Sequence, residues 1–579
     1  MNRKKKKNLI RQGGDRALIA WLNLLFEWFL MVIFARKMGL RGLDYFCLPA
    51  LFYLVPVTLI GETGCRIISG RVRFYAGRDD FRGARRSYHQ LMMFCVSITF
   101  VYGGLMALLA DKICQLMGMA LSSVSLRVIM AAALVRVVVL CIEGFLEGMN
   151  ISAVSYIVDS VSGIVSFVFA FFLSSNFSEY GAKVAALVRV DDWLYAYMAA
   201  WGAAALLAGH VASLLVMMFF NSYMTRALTN MFEGGGVRRP KKFSGELSVF
   251  GSVWTTLAVQ PAYTLALLIL FACVGMVGNV KDPAYGFAPG LFLLAVFCLL
   301  RGPILLEKQI TGTLPRGVLQ YMKHGDHVRV RERIAICLKV YTYYLFPLVT
   351  AFLAMAPSIG LALFDTEAET FAKLIRGGVW MALLLTLGLF LYEVCVPVCG
   401  KMLPGLMLLL SFLVTSGMIV HHMRSAVSQV TDLAATVPLS EDPAAASAAA
   451  TATAAATASA IPAAEITPAF WLPFMVGGGL LLVLGAISLY QKIRYKDDLL
   501  RIFLLTGISC VVFGLVAFVF ERFTAESLGC YAVLLMGGGF GGLAYIICIL
   551  MTHTFDLFEW QEVPGKGLPL ALARFLKLY

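Results

Sequence analysis

Charge is what this chain has least of. Only 14% of its 579 residues are Asp, Glu, Lys or Arg, while 60% are hydrophobic and the mean hydropathy is +0.81. Soluble domains hold about a quarter charged residues and about half apolar ones, so a soluble globular protein is excluded. Chemical motifs are scarce too. There is no Gly-x-x-x-x-Gly-Lys-Ser/Thr loop for a nucleotide motor and no His-Glu-x-x-His pair of zinc ligands. The 13 cysteines form no metal-type cluster. Cys395 and Cys399 are the one close pair, on one apolar helix face, and they read as buried, inert thiols. Cys114 and Cys530 both fall near the outer side and leave one disulfide open. His421 and His422, adjacent at a helix end, read as solvated. No catalytic or metal-ligating residue is assigned, and no enzyme of a known kind is expected. No small-residue cleavage site follows the basic start, so the first apolar run is expected to stay as an anchor.

What is present is a succession of apolar runs, many of them about 18 residues or longer, enough to cross about 30 Å of hydrocarbon. Fourteen are counted. The first seven are Ala17–Phe34, Cys47–Ser69, Leu91–Leu109, Leu126–Phe145, Ile151–Leu173, Trp193–Met218 and Leu247–Val274. The others are Gly286–Leu305, Ile334–Ala354, Leu374–Val398, Pro404–Val420, Phe470–Leu489, Leu499–Phe520 and Leu528–Leu550. The expected fold is therefore all-α and integral to the membrane.

The net charge of +14 does not point to nucleic acid, because the charges gather in short loops beside apolar runs. The densest cluster follows the second run: Arg66, Arg71, Arg73, Arg78, Arg82, Arg85 and Arg86. Lys and Arg are retained on the cytoplasmic side during insertion, so this exit is cytoplasmic and sets the orientation. With an even number of crossings both termini are expected in the cytoplasm. The segments that fall inside then hold 34 of the 48 Lys and Arg, including seven in the N-terminal tail.

Composition divides the chain further. Residues 1–16 form a basic tail, 17–225 a first set of six helices, 243–490 a second set, and 491–579 two additional helices with a tail. Within the loop 421–469, Ala444–Ala464 is almost only Ala, Thr and Ser, and reads as an extracytoplasmic linker. A repeat relates the two sets. Tyr75, Asp80 and Arg85 recur at the same spacing as Tyr321, Asp326 and Arg331, six runs later. An even offset keeps both copies in one orientation, which implies two parallel six-helix lobes.

Ionisable groups inside apolar runs cost about 2.5–3.5 kcal/mol each on insertion scales and so face protein or a water-filled cavity. They are Glu27, Glu62, Arg66, Arg136, Glu143, Asp159, His210, Arg301 and Glu393. Arg136, Leu140, Glu143 and Glu147 form one helical stripe. That stripe either pairs with Glu27 or Asp159, or lines a route through the protein. The set favours a polar cavity in the first lobe. Arginine there suits phosphate or diphosphate, through paired charge-assisted hydrogen bonds, and a carboxylate beside it suits a proton or sodium ion. The Gly477–Gly479 and Gly537–Gly542 patches read as close helix packing, and Asn176-Phe-Ser178 is a chance-level glycosylation sequon.

Several passages together carry a resemblance. They are Phe34-Ala-Arg-Lys-Met-Gly-Leu, Gly61-Glu-Thr-Gly, Gly77-Arg-Asp-Asp, Glu143-Gly-Phe-Leu-Glu-Gly and Leu314-Pro with His324-Gly-Asp. From about Leu18 to Val420 the chain resembles the multidrug/oligosaccharidyl-lipid/polysaccharide (MOP) exporter superfamily, and more narrowly the bacterial polysaccharide and lipid II flippases. The resemblance implies two six-helix lobes around a central cavity that alternates between faces. It implies a lipid-diphosphate-linked saccharide as substrate, membrane lipids as surroundings, and an envelope polysaccharide or peptidoglycan machinery as partner. No cofactor is implied beyond a coupling ion, H⁺ or Na⁺, and the location would be a bacterial cytoplasmic membrane. Fourteen crossings match the lipid II subgroup, whose two extra helices map to Leu499–Leu550. Arg301 matches a cavity arginine of that subgroup in the eighth helix, whereas Glu27 stands where the first helix would carry one. On this expectation Arg66, Arg136 and Arg301 attract the diphosphate, and Glu27, Glu62, Glu143 or Asp159 adjust the charge. A cation-coupled drug exporter of the same superfamily, and a non-transporting scaffold of an envelope assembly machine, are the other readings.

Overall fold

The computed structural model describes residues 9–151, 153–227, 243–281, 287–311, 318, 321–322, 324–435, 463–494, 499–560, 563 and 567–575. Most of the Ala-rich segment Ala444–Ala464, the lysines of the N-terminal tail and the Leu314-Pro passage lie outside them. Among the described residues there is helix and no strand. Among the described residues, thirteen helical segments are long and apolar enough to cross a membrane. The first of them, Asn23–Ala76, has 54 residues. At 1.5 Å per residue that is about 80 Å, far beyond one bilayer core. Helix α1 (Leu9–Val55) is broken inside it at Gly39, where φ is 65° and ψ is −176°. No atom lies within 4 Å of where a Gly39 Cβ would be; the positive φ, not crowding, is what demands glycine. One long segment thus holds two of the expected apolar runs, Ala17–Phe34 before the break and Cys47–Ser69 after it.

The chain packs as two compact units, Leu22–Leu291 and the remainder from Phe292 on, with the start of α1. In the first unit, α1 continues into a π-helical turn, Pro56–Glu62, and then α2 (Thr63–Ala76). There follow α3 (Phe81–Leu108), α4 (Ala110–Leu116), α5 (Ser123–Gly148), α6 (Ala153–Val188) and α7 (Asp192–Ala227). Two more helices, α8 (Phe243–Leu257) and α9 (Val259–Lys281), also belong to this unit.

Small residues set the approach of α5 to its neighbours. A Cβ on Gly144 would lie 2.6 Å from the Cys65 carbonyl oxygen, and one on Gly61 would lie 2.6 Å from Leu140 Cδ1. A Cβ on Gly148 would meet Val72 and the Ser69 carbonyl. In a membrane, where lipid competes for apolar contact, such close backbone packing holds helices together.

The seventh apolar run differs from its expected form. Instead of one crossing over Leu247–Val274, α8 and α9 meet at Ala258, three residues before Pro261, which has no N–H to return to the Leu257 carbonyl. Only Val259–Val280 has the length and character of a span. Helix α8 docks on α2 and α3 instead. Its buried Glu246 accepts hydrogen bonds from Tyr75 Oη at 2.7 Å and Ser87 Oγ at 3.1 Å, and pairs with Arg71 Nε at 3.2 Å. Its Trp254 Nε1 donates to the Leu59 carbonyl at 2.9 Å, inside the π turn.

The second unit contains α10 (Pro289–Thr311, from Phe292), α11 (His327–Ala354), α12 (Ala356–Leu363), α13 (Ala368–Cys399), α14 (Met402–Ala435) and α15 (Ala463–Ile493). The Gly477–Gly479 patch does lie at a close crossing: a Cβ on Gly478 would stand 2.5 Å from the Leu385 amide nitrogen. The two additional helices, α16 (Leu499–Leu528) and α17 (Cys530–Met551), pack on each other and on α11 and α12. Buried Glu521 of α16 accepts from Ser358 N at 3.0 Å and Ser358 Oγ at 2.6 Å, at the start of α12.

The sequence repeat has a structural counterpart. Asp80 N donates to the Tyr75 carbonyl at 3.1 Å, and Asp326 N to the Tyr321 carbonyl at 3.0 Å. Each aspartate then caps the next helix, accepting from Gly83 N at 2.9 Å or Arg329 N at 3.2 Å. The same turn is therefore built twice, at the entrances of α3 and α11. The cysteines open to a disulfide, Cys114 and Cys530, are both free thiols. Burial pushes the Cys114 thiol up to about 12, which makes it inert.

Gly144→Ala should lower the unfolding midpoint of the detergent-solubilised protein, by a stability loss of about 1–3 kcal/mol, because its contact is rigid backbone. Gly104→Ala, with no atom within 4 Å of the new Cβ, should leave the midpoint near wild type; equal midpoints for the two variants would refute the close-packing account.

Candidate functional site

The first unit gathers its membrane-depth charges around Arg136, in the middle of α5. Arg136 Nη2 pairs with Asp159 Oδ1 of α6 at 2.9 Å, and Nη1 with Glu143 Oε1 at 3.5 Å, two turns along α5. The guanidinium is 16% exposed, Glu143 7% and Asp159 33%, so the carboxylate nearest the arginine is also the one open to solvent or a ligand. Of the two partners the sequence offered, Asp159 pairs with the stripe. Glu62, at the end of the π turn, and Glu147 stand in the same electrostatic field as Glu143. With all three members ionised, the Arg136–Asp159–Glu143 triad carries one net negative charge.

A second polar layer adjoins it. His210 of α7 is buried, with Nε2 at 2.6 Å from Tyr53 Oη and Nδ1 at 3.1 Å from Ser162 Oγ. Tyr53 comes from the second half of α1 and Ser162 lies one turn beyond Asp159's end of α6. A neutral imidazole has one donor and one acceptor nitrogen, so this arrangement engages both and fixes the ring, which lies parallel to that of Tyr53 within 4°. Arg136 lies within electrostatic reach of both His210 and Tyr53. Tyr53 and Ser162 were not legible as site residues, since a tyrosine and a serine inside apolar runs carry no pattern.

The remaining expected residues are placed as follows. Asn23 Oδ1 accepts from Ser160 Oγ at 2.7 Å, so α1 runs beside α6 at Asp159, and half-buried Glu27 is one turn further along α1. Arg66 is exposed on α2, next to Cys65 at the α5 crossing. Arg301 is half-buried in α10, in the second unit. The structure thus joins Arg136, Glu143 and Asp159 directly, sets Glu62 in their field, and locates Glu27 on the flanking helix. Among the described residues no three His, Cys, Asp or Glu side chains gather as a metal site.

No protein-family model and no curated protein matches the sequence. Solved structures do match by shape. An inward-facing multidrug-resistance MATE transporter of the MOP superfamily superposes with a TM-score of 0.57 at 11% identity, over 82% of this chain and 96% of that one. The lipid II flippase MurJ, in an inward closed conformation, gives 0.56 at 12% identity, over 92% of this chain and 98% of the flippase. A MOP-superfamily transporter from Pyrococcus furiosus, noted for the reversed polarity of its binding pocket, gives 0.50 at 12% over 85% and 99%. At such identity it is the fold that is shared. The chain is an all-helical, multi-span membrane protein with the fold of MOP transporters.

Arg136→Met strands two carboxylates at membrane depth and should destabilise the protein by about 3 kcal/mol or more. Asp159→Asn, which leaves Arg136 paired with Glu143 at a site one-third exposed, should cost about 1 kcal/mol. Thermal unfolding in detergent ranks the two, and the reverse order would contradict the pairing described.

Proposed function

We propose that the protein moves a lipid-diphosphate-linked saccharide across the membrane, by alternating exposure of its polar centre. One observation carries this reading: two apolar spans beyond the twelve of two six-helix lobes, Ile502–Thr524 and Cys530–Met551, are fixed to α11 and α12 and only one-third buried. They give the second unit a long apolar flank on which a polyprenyl chain can lie while its head group is carried. The wider coverage of this chain by the flippase than by the MATE transporter, 92% against 82%, supports the same reading.

The triad suggests how an ion drives the cycle. In its resting arrangement Arg136 is held by two carboxylates and is no anchor for an anion. A proton or sodium ion taken up by Asp159 or Glu143 neutralises one of them and releases the guanidinium fork for a diphosphate. Departure of the ion closes the pair again and expels the anion. Arg66 and Arg301 would add positive charge along the route, and Glu62 and Glu27 would hold the ion. A second reading, a cation-coupled drug exporter, is favoured by the carboxylate excess around Arg136, which suits a cationic substrate.

The two separate in cells depleted of the protein, probed for lipid-linked saccharide with a reagent confined to the outer face. The proposal expects the intermediate to vanish outside and to accumulate inside. Unchanged sidedness together with slower efflux of a cationic dye would overturn it in favour of the exporter.

A further inference from the structure

The sulfur atoms at one end of the second unit have no part in transport as proposed above. Cys395 and Cys399 stand one turn apart at the end of α13, and their thiols are in hydrogen-bond contact with each other. Both point at α15. Cys395 Sγ lies 3.5 Å from the Gly485 carbonyl oxygen and Cys399 Sγ 3.9 Å from that of Ser488. Ser488 also brings a third sulfur near, donating through Oγ to Met407 Sδ of α14 at 3.5 Å. The Lys492 ammonium, one turn further along α15, acts on Cys399. Cys395 is buried and Cys399 half-buried, and α13 stops directly after it at Gly400, whose φ is 80°.

We propose that Cys395 and Cys399 form a two-sulfur site for a soft monovalent cation, Cu(I), closed on one side by Met407. Thiolate and thioether ligands select Cu(I) over harder ions. Two thiols one helical turn apart suit a two-coordinate ion, and Met407 supplies a weak third donor. Binding forms two Cu–S bonds, releases two thiol protons to solvent and moves no electron. The bis-thiolate complex then carries one negative charge, and Lys492 is placed to balance it. Half-exposed Cys399 provides access, and buried Cys395 provides retention.

The test uses the full-length protein in detergent, reduced and oxygen-free, titrated with Cu(I) held by a chromophoric chelator. The wild type should withdraw one equivalent from the chelator. The Cys395→Ser/Cys399→Ser variant should lose that equivalent, and Met407→Leu should weaken it about 10-fold. Because core variants can misfold, a second reading is taken on the wild type alone. One equivalent of Cu(I) should protect Cys399 from alkylation, mapped by mass spectrometry, while Cys530 keeps reacting. Copper uptake equal in wild type and double variant, or alkylation of Cys399 unaffected by copper, would overturn the site.

Discussion

An arginine at membrane depth must be neutralised where it stands, and most of the first unit is arranged around that requirement. Arg136 needs two acceptors within reach, and they come from different helices: Glu143 from its own, Asp159 from α6. For α6 to present Asp159 there, α1 and α7 must pack along it, which they do through Asn23 with Ser160 and through His210 with Ser162. For the stripe of α5 to reach the interior, its other face must let α2 approach closely, which Gly144 and Gly148 permit. The charge thus constrains the packing of five helices, and the small residues make that packing attainable.

The same economy governs the ends of the helices. In a medium that offers no water to stray polar groups, two buried carboxylates are each given donors. Glu246 takes two hydroxyls and a guanidinium, and Glu521 takes the amide and hydroxyl of Ser358. The first pins α8 to α2 and α3; the second pins the additional helices to α12. These polar pins, more than apolar contact, give the spans a definite partner, because a leucine is as well solvated by lipid as by another helix.

Much of this was legible in the sequence, and what was not has identifiable causes. Hydropathy located the crossings, apart from the bounds of the seventh, because bilayer thickness fixes their length. The one merged segment is divided by Gly39, a glycine that hydropathy does not weigh. Three residues, Tyr75, Asp80 and Arg85, disclosed the repeat because a capped turn needs its aspartate at a fixed place. The helical stripe through Arg136 and Glu143 was visible from spacing alone, and Asp159 was one of two partners open to it. Glu246 falls just outside the apolar runs and carries no signal in the sequence, since only the docking of α8 on distant helices buries it. Tyr53 and Ser162 were hidden for the same reason: what gives them meaning is His210, a neighbour more than 45 residues away in the chain.

The central claim is that the Arg136 triad serves transport and not only packing. Replacing all three members with apolar residues, Arg136→Met with Glu143→Leu and Asp159→Leu, removes the charges together, and such exchanges of buried ionic groups are often neutral or stabilising. The measurement is translocation of a labelled polyprenyl-diphosphate saccharide by the purified triple variant in liposomes, beside its thermal midpoint. The account predicts a folded protein with a midpoint at or above wild type and no translocation above protein-free liposomes. Translocation at the wild-type rate would show that the triad is a packing device, and would contradict it.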